Sequence, residues 1–371
     1  MEKLRLCCPC HFGLESVLKF EIGRLGADDI TVTDGKISFS GDESMIARAN
    51  LRLATAERVL IELASFRAET FSELFDNVYA LPLERFIGKT DAFPVKGHSL
   101  DSKLFSVPDC QKMIKKAAAK RLGQKYGCEW LEETGELHQL QFTILKDVCT
   151  LWLDTTGTGL HKRGYRKNSN AAPIKETLAA GIIDLARVRA DSVVCDPMCG
   201  SGTFLIEAAY KACGIAPGLR RSFSAEKWAQ ISPDVWKNER TAALADVNRA
   251  AGFKGFGADI DPLAVDLTLE NSRKAGVQSR LTIREQDVMK FVPPEGAITV
   301  CNPPYGERML EIREAEELYK RLGERIHPDG SHPAVIISPD EDFEKFFGKK
   351  ADKKRKLYNG MIKCNLYMYF K

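Results

Sequence analysis

The stretch Val193-Val194-Cys195-Asp196-Pro197-Met198-Cys199-Gly200-Ser201-Gly202-Thr203 decides the fold of the second half of this chain. It predicts a buried strand, then a glycine turn, then the start of a helix. The turn is neither the GxGxxG of a dinucleotide site nor a phosphate-binding loop ending in Lys-Ser/Thr. An acidic residue at the strand end disfavours pyrophosphate and suits a cationic, amino-acid-like ligand. The ligand-binding candidates in this stretch are Asp196, Pro197, Gly200, Gly202 and Thr203.

From about Pro173 onward, apolar strands alternate with helices, which is the pattern of βαβ units around a parallel sheet. The predicted strands are 192–195, 255–259, 281–284, 297–301 and 334–338, with helices at 203–213, 262–275 and 314–326. Asn359-Gly360 lies between two β-rich runs and predicts a closing antiparallel hairpin. The forty residues 214–254 exceed a normal loop and predict a small helical insertion that uses Trp228, Trp236 and Leu244.

The first half shows an α+β pattern without a phosphate loop or a catalytic constellation. Its predicted helices are 13–25 and 107–126, and its predicted strands are 37–39, 58–66, 92–95, 140–145 and 148–154. The turn-prone segment 155–159 then separates this half from the βαβ region. The first half therefore reads as a module that holds a partner.

Acidic residues also follow the second and third predicted strands of the βαβ region. Asp259 is placed to accept hydrogen bonds from two ribose hydroxyls, and Asp287 from an adenine amino group. Asp261 is the second candidate for the ribose, or else a helix N-cap. With the glycine turn, these acids predict a site for S-adenosyl-L-methionine.

The segment Cys301-Asn302-Pro303-Pro304-Tyr305-Gly306 follows the fourth strand and predicts methyl transfer to an exocyclic amine. If the Asn302 side chain and the Pro303 carbonyl each accept one amine hydrogen, the nitrogen lone pair is directed at the methyl group. Tyr305 offers a face on which a planar group stacks. Asn302 is a candidate for both catalysis and cofactor binding. The same motif serves enzymes that modify adenine N6 in DNA, guanine N2 in RNA and glutamine in proteins.

Length and composition limit the classes of protein to which this chain can belong. A length of 371 residues predicts two or three domains, and the odd count of eleven cysteines argues against a disulfide framework. The N-terminus lacks a signal-peptide core and no window approaches a membrane span, so we expect a cytoplasmic protein without membrane contact. Cys8-Pro9-Cys10-His11 is too tightly spaced for zinc, so we predict no metal site.

Net charge is only +3, but basic residues are clustered. Such clusters bind phosphates or form solvated faces, and the sequence leaves both interpretations open. One cluster spans 112–125, a second 161–167 and a third 345–356. The candidates for RNA binding are Lys112, Lys115, Lys116, Lys162, Arg163 and Arg166.

The glycine-turn motif at 196–203, together with Asn302-Pro303-Pro304-Tyr305-Gly306-Glu307-Arg308, resembles the bacterial guanine-N2 methyltransferases of large-subunit ribosomal RNA. The resemblance extends through His161–Arg166, Ala172–Ala180 and Lys356–Gly360. Upstream, Phe93-Pro94-Val95, the basic helix and the segment 151–157 resemble a THUMP domain. The first sixty residues resemble the ferredoxin-like segment that precedes it.

The resemblance implies an α/β protein with a ferredoxin-like segment at 1–60, a THUMP RNA-binding domain at 61–160 and a class I Rossmann-like methyltransferase domain at 161–371. It implies S-adenosyl-L-methionine as cofactor and a guanine N2 of 23S ribosomal RNA, free or in an assembling large subunit, as substrate. With one methyltransferase core, one modification is expected. A transfer RNA guanine-N2 methyltransferase and a non-catalytic RNA-binding or assembly factor remain the alternatives.

Overall fold

The computed structural model describes residues 3–166, 174–305 and 309–371, arranged around two seven-stranded sheets. Parts of the predicted motifs, namely Lys167, Ala172-Pro173 and Gly306-Glu307-Arg308, lie outside the described residues. Within those ranges, each helix is too short or too polar to cross a bilayer.

The N-terminal sheet has the strand order β2-β3-β1-β4-β7-β6-β5. Its strands are β1 Leu4–Pro9, β2 Asp28–Thr33, β3 Lys36–Gly41, β4 Leu60–Arg67, β5 Val95–Leu100, β6 Leu140–Leu145 and β7 Val148–Asp154, and its helices are α1 Glu15–Arg24, α2 Glu43–Arg52, α3 Phe71–Ala80 and α4 Val107–Tyr126. Antiparallel pairing of β1 with β4 joins the two predicted modules into one continuous sheet. The boundaries at 60 and 160 stay predictions.

The bounds of α4, β6 and β7 are those predicted from the sequence. The prediction of a strand at 92–95 is wrong, because β5 begins only at Val95. Pro94 precedes it and has no N–H to donate to a ladder, although its carbonyl accepts from the Leu140 N–H at 2.9 Å. The strand β1 was not predicted, since its cysteines and proline do not give a strand pattern.

The C-terminal sheet has the order β10-β9-β8-β11-β12-β14-β13. Its strands are β8 Val193–Asp196, β9 Lys254–Asp259, β10 Leu281–Glu285, β11 Ile298–Cys301, β12 Ala334–Ser338, β13 Lys353–Asn359 and β14 Ile362–Tyr369, and its helices are α5 Glu176–Leu185, α6 Thr203–Ala212, α7 Pro233–Ala245, α8 Pro262–Ala275, α9 Met309–Ile326 and α10 Phe343–Phe347. Strands β10, β9, β8, β11 and β12 are parallel, and β14 and β13 close the sheet as an antiparallel hairpin. The predicted fold class is confirmed. The strand order reverses at β8 and β11, so a ligand crevice is expected at their carboxyl ends.

The predicted helical insertion exists as α7, but it packs against the N-terminal half. Trp228 and Trp236 are buried in the hydrophobic core that surrounds the first sheet. Arg48 on α2 donates to the Glu239 carboxylate of α7 at 2.6 Å. Leu244, the third residue that indicated the insertion, is 59% exposed because it lies on the outer face of the helix. The insertion thus attaches the methyltransferase half to the N-terminal sheet.

A second contact between the halves centres on Glu57, which follows α2 and faces α5. Its carboxylate lies 3.1 Å from His11 Nε2, 3.6 Å from His161 Nδ1 and 3.4 Å from Lys175 Nζ. Burial opposes ionisation, but hydrogen bonds from the two histidines and Thr177 hold the pKa of this carboxyl well below its usual range. Because the folded-state pKa is depressed, the stabilisation by ionised Glu57 is present above the ordinary carboxyl pKa and is lost only as the pH falls.

Candidate active site

The turn between β8 and α6 has the conformation that its glycines allow. Gly200 and Gly202 have φ of +54° and +75°, in the left-handed region that favours glycine. A Cβ on Gly202 would lie 2.7 Å from Thr268 Cγ2, so close packing also requires this glycine. A Cβ on Gly200 would meet no atom within 4 Å, so the turn faces open space there.

The acids predicted at the strand ends take different roles in the turn. Asp259 accepts hydrogen bonds from the Gly200 N–H at 2.8 Å and the Asp261 N–H at 3.1 Å. Asp261 caps α8 by accepting a hydrogen bond from the Leu263 N–H at 2.9 Å. A helix N-cap was one of the two roles that the sequence predicted for this residue. Asp287 accepts from the Met289 N–H at 2.9 Å. Asp259 therefore ties the ends of β8 and β9 together.

A cavity of about 650 Å³ opens at the carboxyl ends of β8, β9 and β11. It unites the two sets of residues that the sequence predicted separately. Its walls include the predicted cofactor residues Asp196, Pro197, Gly200, Thr203, Asp259 and Asp287, and the predicted catalytic residues Asn302, Pro303 and Tyr305. Gly202 shapes the turn behind the wall, and Asp261 lies on the exposed side of the α8 cap.

Asp196 gives the cavity a distinct electrostatic character. The residue is 2% exposed, and burial raises the pKa of its carboxyl to about 8, with a smaller contribution from nearby Asp259. The Met198 N–H, 3.2 Å from Oδ1, opposes this rise only in part. A buried acid of this kind becomes charged most readily beside a cation. The cavity therefore fits a ligand that brings positive charge to Asp196.

The segment after β11 forms another part of the cavity wall. The Pro304 carbonyl accepts from the Tyr319 hydroxyl at 3.5 Å, and the Asn359 amide donates to the Tyr305 hydroxyl at 3.5 Å. Among the residues that the structure describes, the Asn302 carboxamide has no hydrogen-bond partner, although it lines the cavity. It is therefore available to a ligand.

Two elements that sequence reasoning did not assign to the site also reach it. Ile362 of β14 and Leu318 of α9 line the cavity. The Asn359-Gly360 signal predicted the hairpin that carries Ile362, but not that the hairpin would meet the cavity. No local pattern marks Leu318, because its position depends on how α9 packs against β11 and β12.

The predicted RNA-binding lysines on α4 differ in their surroundings. Lys112 and Lys116 are exposed and lie one helical turn apart. Lys115 is only one-third exposed, and its ammonium lies 2.5 Å from the Glu133 carboxylate, 3.1 Å from the Phe93 carbonyl oxygen and 3.4 Å from the centre of the Phe93 ring. Lys112 and Lys116 are thus the lysines of this set that are accessible to a polyanion, although the Lys112 ammonium also lies 3.7 Å from the exposed Asp109 carboxylate.

The second predicted basic cluster requires a correction. Lys162 is exposed, but Arg163 is 2% exposed and donates to the Leu160 carbonyl at 2.8 Å and to the Ala54 carbonyl. The prediction that Arg163 binds RNA is wrong, because its charge is enclosed between the two halves and faces Glu207 at 3.5 Å.

Arg166 is likewise largely enclosed rather than free at the surface. It donates to the Ile174 carbonyl at 3.1 Å, the Thr203 hydroxyl at 3.3 Å and the Glu176 carboxylate at 3.1 Å. With 13% side-chain exposure, it supports the start of α6 beside the cavity. These contacts engage its guanidinium at the domain junction, which argues against the predicted contact with RNA.

Comparison with known proteins decides the family. Residues 163–368 match the model of the RMKL-like methyltransferase domain. The chain belongs to the RMKL-like methyltransferase family. Residues 5–60 match the RlmL ferredoxin-like domain, and residues 68–154 match the THUMP domain. The resemblance drawn from the motifs is confirmed.

Relatives of this RMKL-like protein support the same assignment. "Putative RNA methyltransferase YpsC" of Bacillus subtilis is 41% identical over all of the chain and 97% of that protein. "Ribosomal RNA large subunit methyltransferase K/L" of Cellvibrio japonicus is 32% identical over 97% of the chain, but the match spans only 50% of that longer protein.

A solved structure, titled "SMU.472, a putative methyltransferase complexed with SAH", superimposes with a TM-score of 0.95 at 36% identity, covering 100% of this chain and 98% of that one. SAH, S-adenosylhomocysteine, is the demethylated product of S-adenosylmethionine. The cavity of this RMKL-like protein, with its open glycine turn and buried acid, fits the predicted cofactor S-adenosylmethionine.

Cofactor affinity is expected to depend on pH through Asp196. We expect binding of S-adenosylhomocysteine to strengthen as the pH rises to about 8, by up to about tenfold per unit, because the carboxyl whose pKa is about 8 must ionise to face a cation. By the same linkage, the free protein loses stability over this interval, since its native state holds a proton that the unfolded state releases. Calorimetry between pH 6 and 9 measures the first effect.

The matched variant is Asp196→Asn, which is nearly the same size and does not titrate. We expect weaker binding with a shallower dependence on pH. A wild-type affinity that stays constant from pH 6 to 9 would contradict the role given to Asp196.

Proposed function

We propose that this enzyme transfers the methyl group of S-adenosylmethionine to the exocyclic N2 amine of a guanine in 23S ribosomal RNA. The observation that carries the proposal is that Asn302 and Pro303 share one cavity with the glycine turn and its acids. The amine to be methylated and the cofactor would thereby be bound in one space. The names of the K/L relatives support ribosomal RNA as the acceptor.

The chemistry rests on positioning. The bound cofactor supplies an electrophilic methyl group on a sulfonium. The Asn302 side-chain oxygen and the Pro303 carbonyl each accept one hydrogen of the amine, whose lone pair then leaves the plane of the base and points toward the methyl group. The ring of Tyr305, whose hydroxyl accepts from Asn359, offers a stacking face for the base. The excess proton departs after transfer, so no dedicated base is required.

Each acid of the cavity is assigned to a different part of the cofactor. Two backbone N–H groups donate to Oδ1 and Oδ2 of Asp259 and fix the orientation of its carboxylate. Because Asp259 lies at the end of β9, its carboxylate is placed to accept hydrogen bonds from the ribose hydroxyls. Asp287, at the neighbouring strand end, is placed for the adenine amino group. Asp196 faces the positive charge of the amino-acid portion. Pro197, Gly200 and Thr203 complete this wall.

An RNA acceptor is supported by the N-terminal half. A groove of about 800 Å³ runs beside α4, lined by Lys116, Lys120 and Trp130 among other residues. Trp130 is 81% exposed, which is unusual for so large an aromatic residue. Exposed aromatic rings beside lysines are the combination that binds unpaired nucleotides by stacking and charge. Such an enzyme would act in the cytoplasm, where ribosomes assemble.

Charge reversal on α4 tests this surface. We expect Lys112→Glu with Lys116→Glu to weaken RNA binding and to lower the slope of log affinity against log salt by about two, one for each lost phosphate contact. Filter binding to large-subunit RNA at several salt concentrations measures the slope. The control is Lys237→Glu with Arg249→Glu, two exposed residues outside α4. Equal slopes for the two double variants would place the RNA surface elsewhere.

Methyl transfer in vitro tests the activity itself. The enzyme would be incubated with labelled S-adenosylmethionine and separate fractions of large-subunit RNA, transfer RNA, DNA and protein from a strain lacking it. We expect label in large-subunit RNA, recovered as N2-methylguanosine after digestion. Label in transfer RNA as the same nucleoside would retain the mechanism and replace the substrate. Cofactor binding without label in any fraction would favour the non-catalytic alternative.

A further inference from the structure

The hairpin of β13 and β14 carries an unexplained apolar residue beside the cavity. Met361 is 98% exposed, the highest value among the large apolar side chains of the described residues. We propose that Met361 is a wedge that enters the RNA base stack and fills the place left when the target guanine turns into the cavity. This inference rests on the proposed function, because it assumes an RNA acceptor whose base leaves its stack.

The turn geometry does not require methionine at this position. Asn359 pairs with Ile362 as the last residues of the two strands, so Gly360 and Met361 form a two-residue loop. Gly360 has a φ of +63°, whereas Met361 is not among the residues with positive φ. Glycine at the first loop position is the requirement of a type II′ turn, and the second position tolerates most residues. A polar residue would serve the turn equally well.

The hairpin tip is fixed at the mouth of the cavity. Ile362 lines the cavity, and Asn359 donates to the Tyr305 hydroxyl at 3.5 Å. Behind the tip, Leu357 and Cys364 face each other across the hairpin and are buried in the core of the methyltransferase domain. The tip is thus held by packing and lies next to the part of the cavity wall that is proposed to receive the base.

The flanks of the hairpin suit a nucleic acid strand. Lys356 is exposed, and its ammonium lies 5.5 Å from the centre of the Tyr358 ring. Lys363, opposite Tyr358 in the strand register, is also exposed and pairs with Glu341 at the surface at 3.0 Å. Phe12 of the N-terminal half is 55% exposed and lies edge-on to Tyr358, with ring centres 6.3 Å apart. Lysines supply phosphate contacts and the rings supply stacking faces on either side of the apolar tip.

A wedge has a physical task in this reaction. A base held in a helix cannot reach a closed pocket, and turning it out costs stacking and pairing energy. Apolar side chains that enter the vacated step recover part of that energy in other proteins that distort nucleic acids. Met361 is unbranched and flexible, so it can fit a step whose geometry changes as the base leaves.

The test compares two RNA hairpins after the wild-type enzyme has identified its target nucleotide. One carries the target guanine in a paired stem, and the other carries it in an unpaired loop of equal length. For Met361→Ala we expect kcat/KM to fall about tenfold on the paired target and less than about twofold on the unpaired one. Fluorescence of 2-aminopurine next to the target should rise on binding of the wild type and stay low with the variant.

Matched variants separate a wedge from general damage. Met361→Leu keeps the apolar bulk and should retain most activity on the paired target. Leu244→Ala removes an exposed apolar side chain of α7, 59% exposed, and should leave both rates unchanged. Equal losses on the two hairpins with Met361→Ala, or none on either, would overturn the wedge. A wild-type enzyme that labels no RNA would instead overturn the proposed function.

Discussion

Replacing Asn302 with alanine is expected to reduce methyl transfer by about 10²–10³-fold while leaving cofactor affinity nearly unchanged. The reason is that the Asn302 carboxamide acts on the amine of the acceptor. It lines the cavity and is available to a ligand because no described residue binds it. Single-turnover rates with labelled S-adenosylmethionine measure the first quantity, and calorimetry with S-adenosylhomocysteine measures the second.

The control for this prediction is Asn302→Asp. This variant keeps one side-chain oxygen as an acceptor at nearly the same position, so we expect a rate between those of the wild type and the alanine variant. Since Asn302 was also predicted to touch the cofactor, the two measurements separate its roles. A parallel loss of affinity and turnover would assign it to the cofactor instead of the amine.

Replacing Arg163 with alanine is expected to destabilise the protein by about 3–5 kcal/mol, because it leaves a buried carboxylate without its counter-charge. Glu207 is 2% exposed, and it would retain the hydrogen bond that the Tyr165 hydroxyl donates to it at 3.0 Å. The carbonyls of Leu160 and Ala54 would also lose a donor. For a chain of this size we expect the melting temperature to fall by about 5 °C, measured by calorimetry.

Lys162 provides the matched control, since it is the exposed neighbour of Arg163 in the sequence. Lys162→Ala should leave the melting temperature unchanged. A second variant pairs Arg163→Met with Glu207→Gln, which removes both charges and should recover part of the lost stability. If Arg163→Ala melted like the wild type and bound RNA weakly, the original assignment of Arg163 to RNA would be restored.

The sequence predicted the fold and the cavity walls because both depend on local pattern. Asp196, Asp259 and Asn302 each follow an apolar run, and parallel strands bring their carboxyl ends to one edge. The conformation of the glycine turn also depends on local sequence, since Gly200 and Gly202 adopt positive φ angles that glycine permits. Side chains placed by such rules can be located without knowledge of the tertiary contacts.

The features that were mispredicted depend on contacts between distant segments. Arg163 and Lys162 have the same charge and adjacent positions, and only the packing of the two halves buries one and exposes the other. The helical insertion was predicted from Trp228, Trp236 and Leu244 together, yet only the tryptophans are buried, because α7 presents a different face from that of Leu244 inward. The sequence did not predict a role for Met361, because its proposed role depends on the position of the hairpin beside Tyr305.

The most direct test of the proposed function is nucleoside mass spectrometry of RNA from cells that lack this protein. Large-subunit ribosomal RNA and transfer RNA would be purified separately from the deletion strain and from strains complemented with the wild type or with Asn302→Ala. We predict that N2-methylguanosine is lost from large-subunit RNA in the deletion strain and restored by the wild type alone. Unchanged N2-methylguanosine in that RNA across all strains would contradict the assignment of 23S ribosomal RNA as substrate.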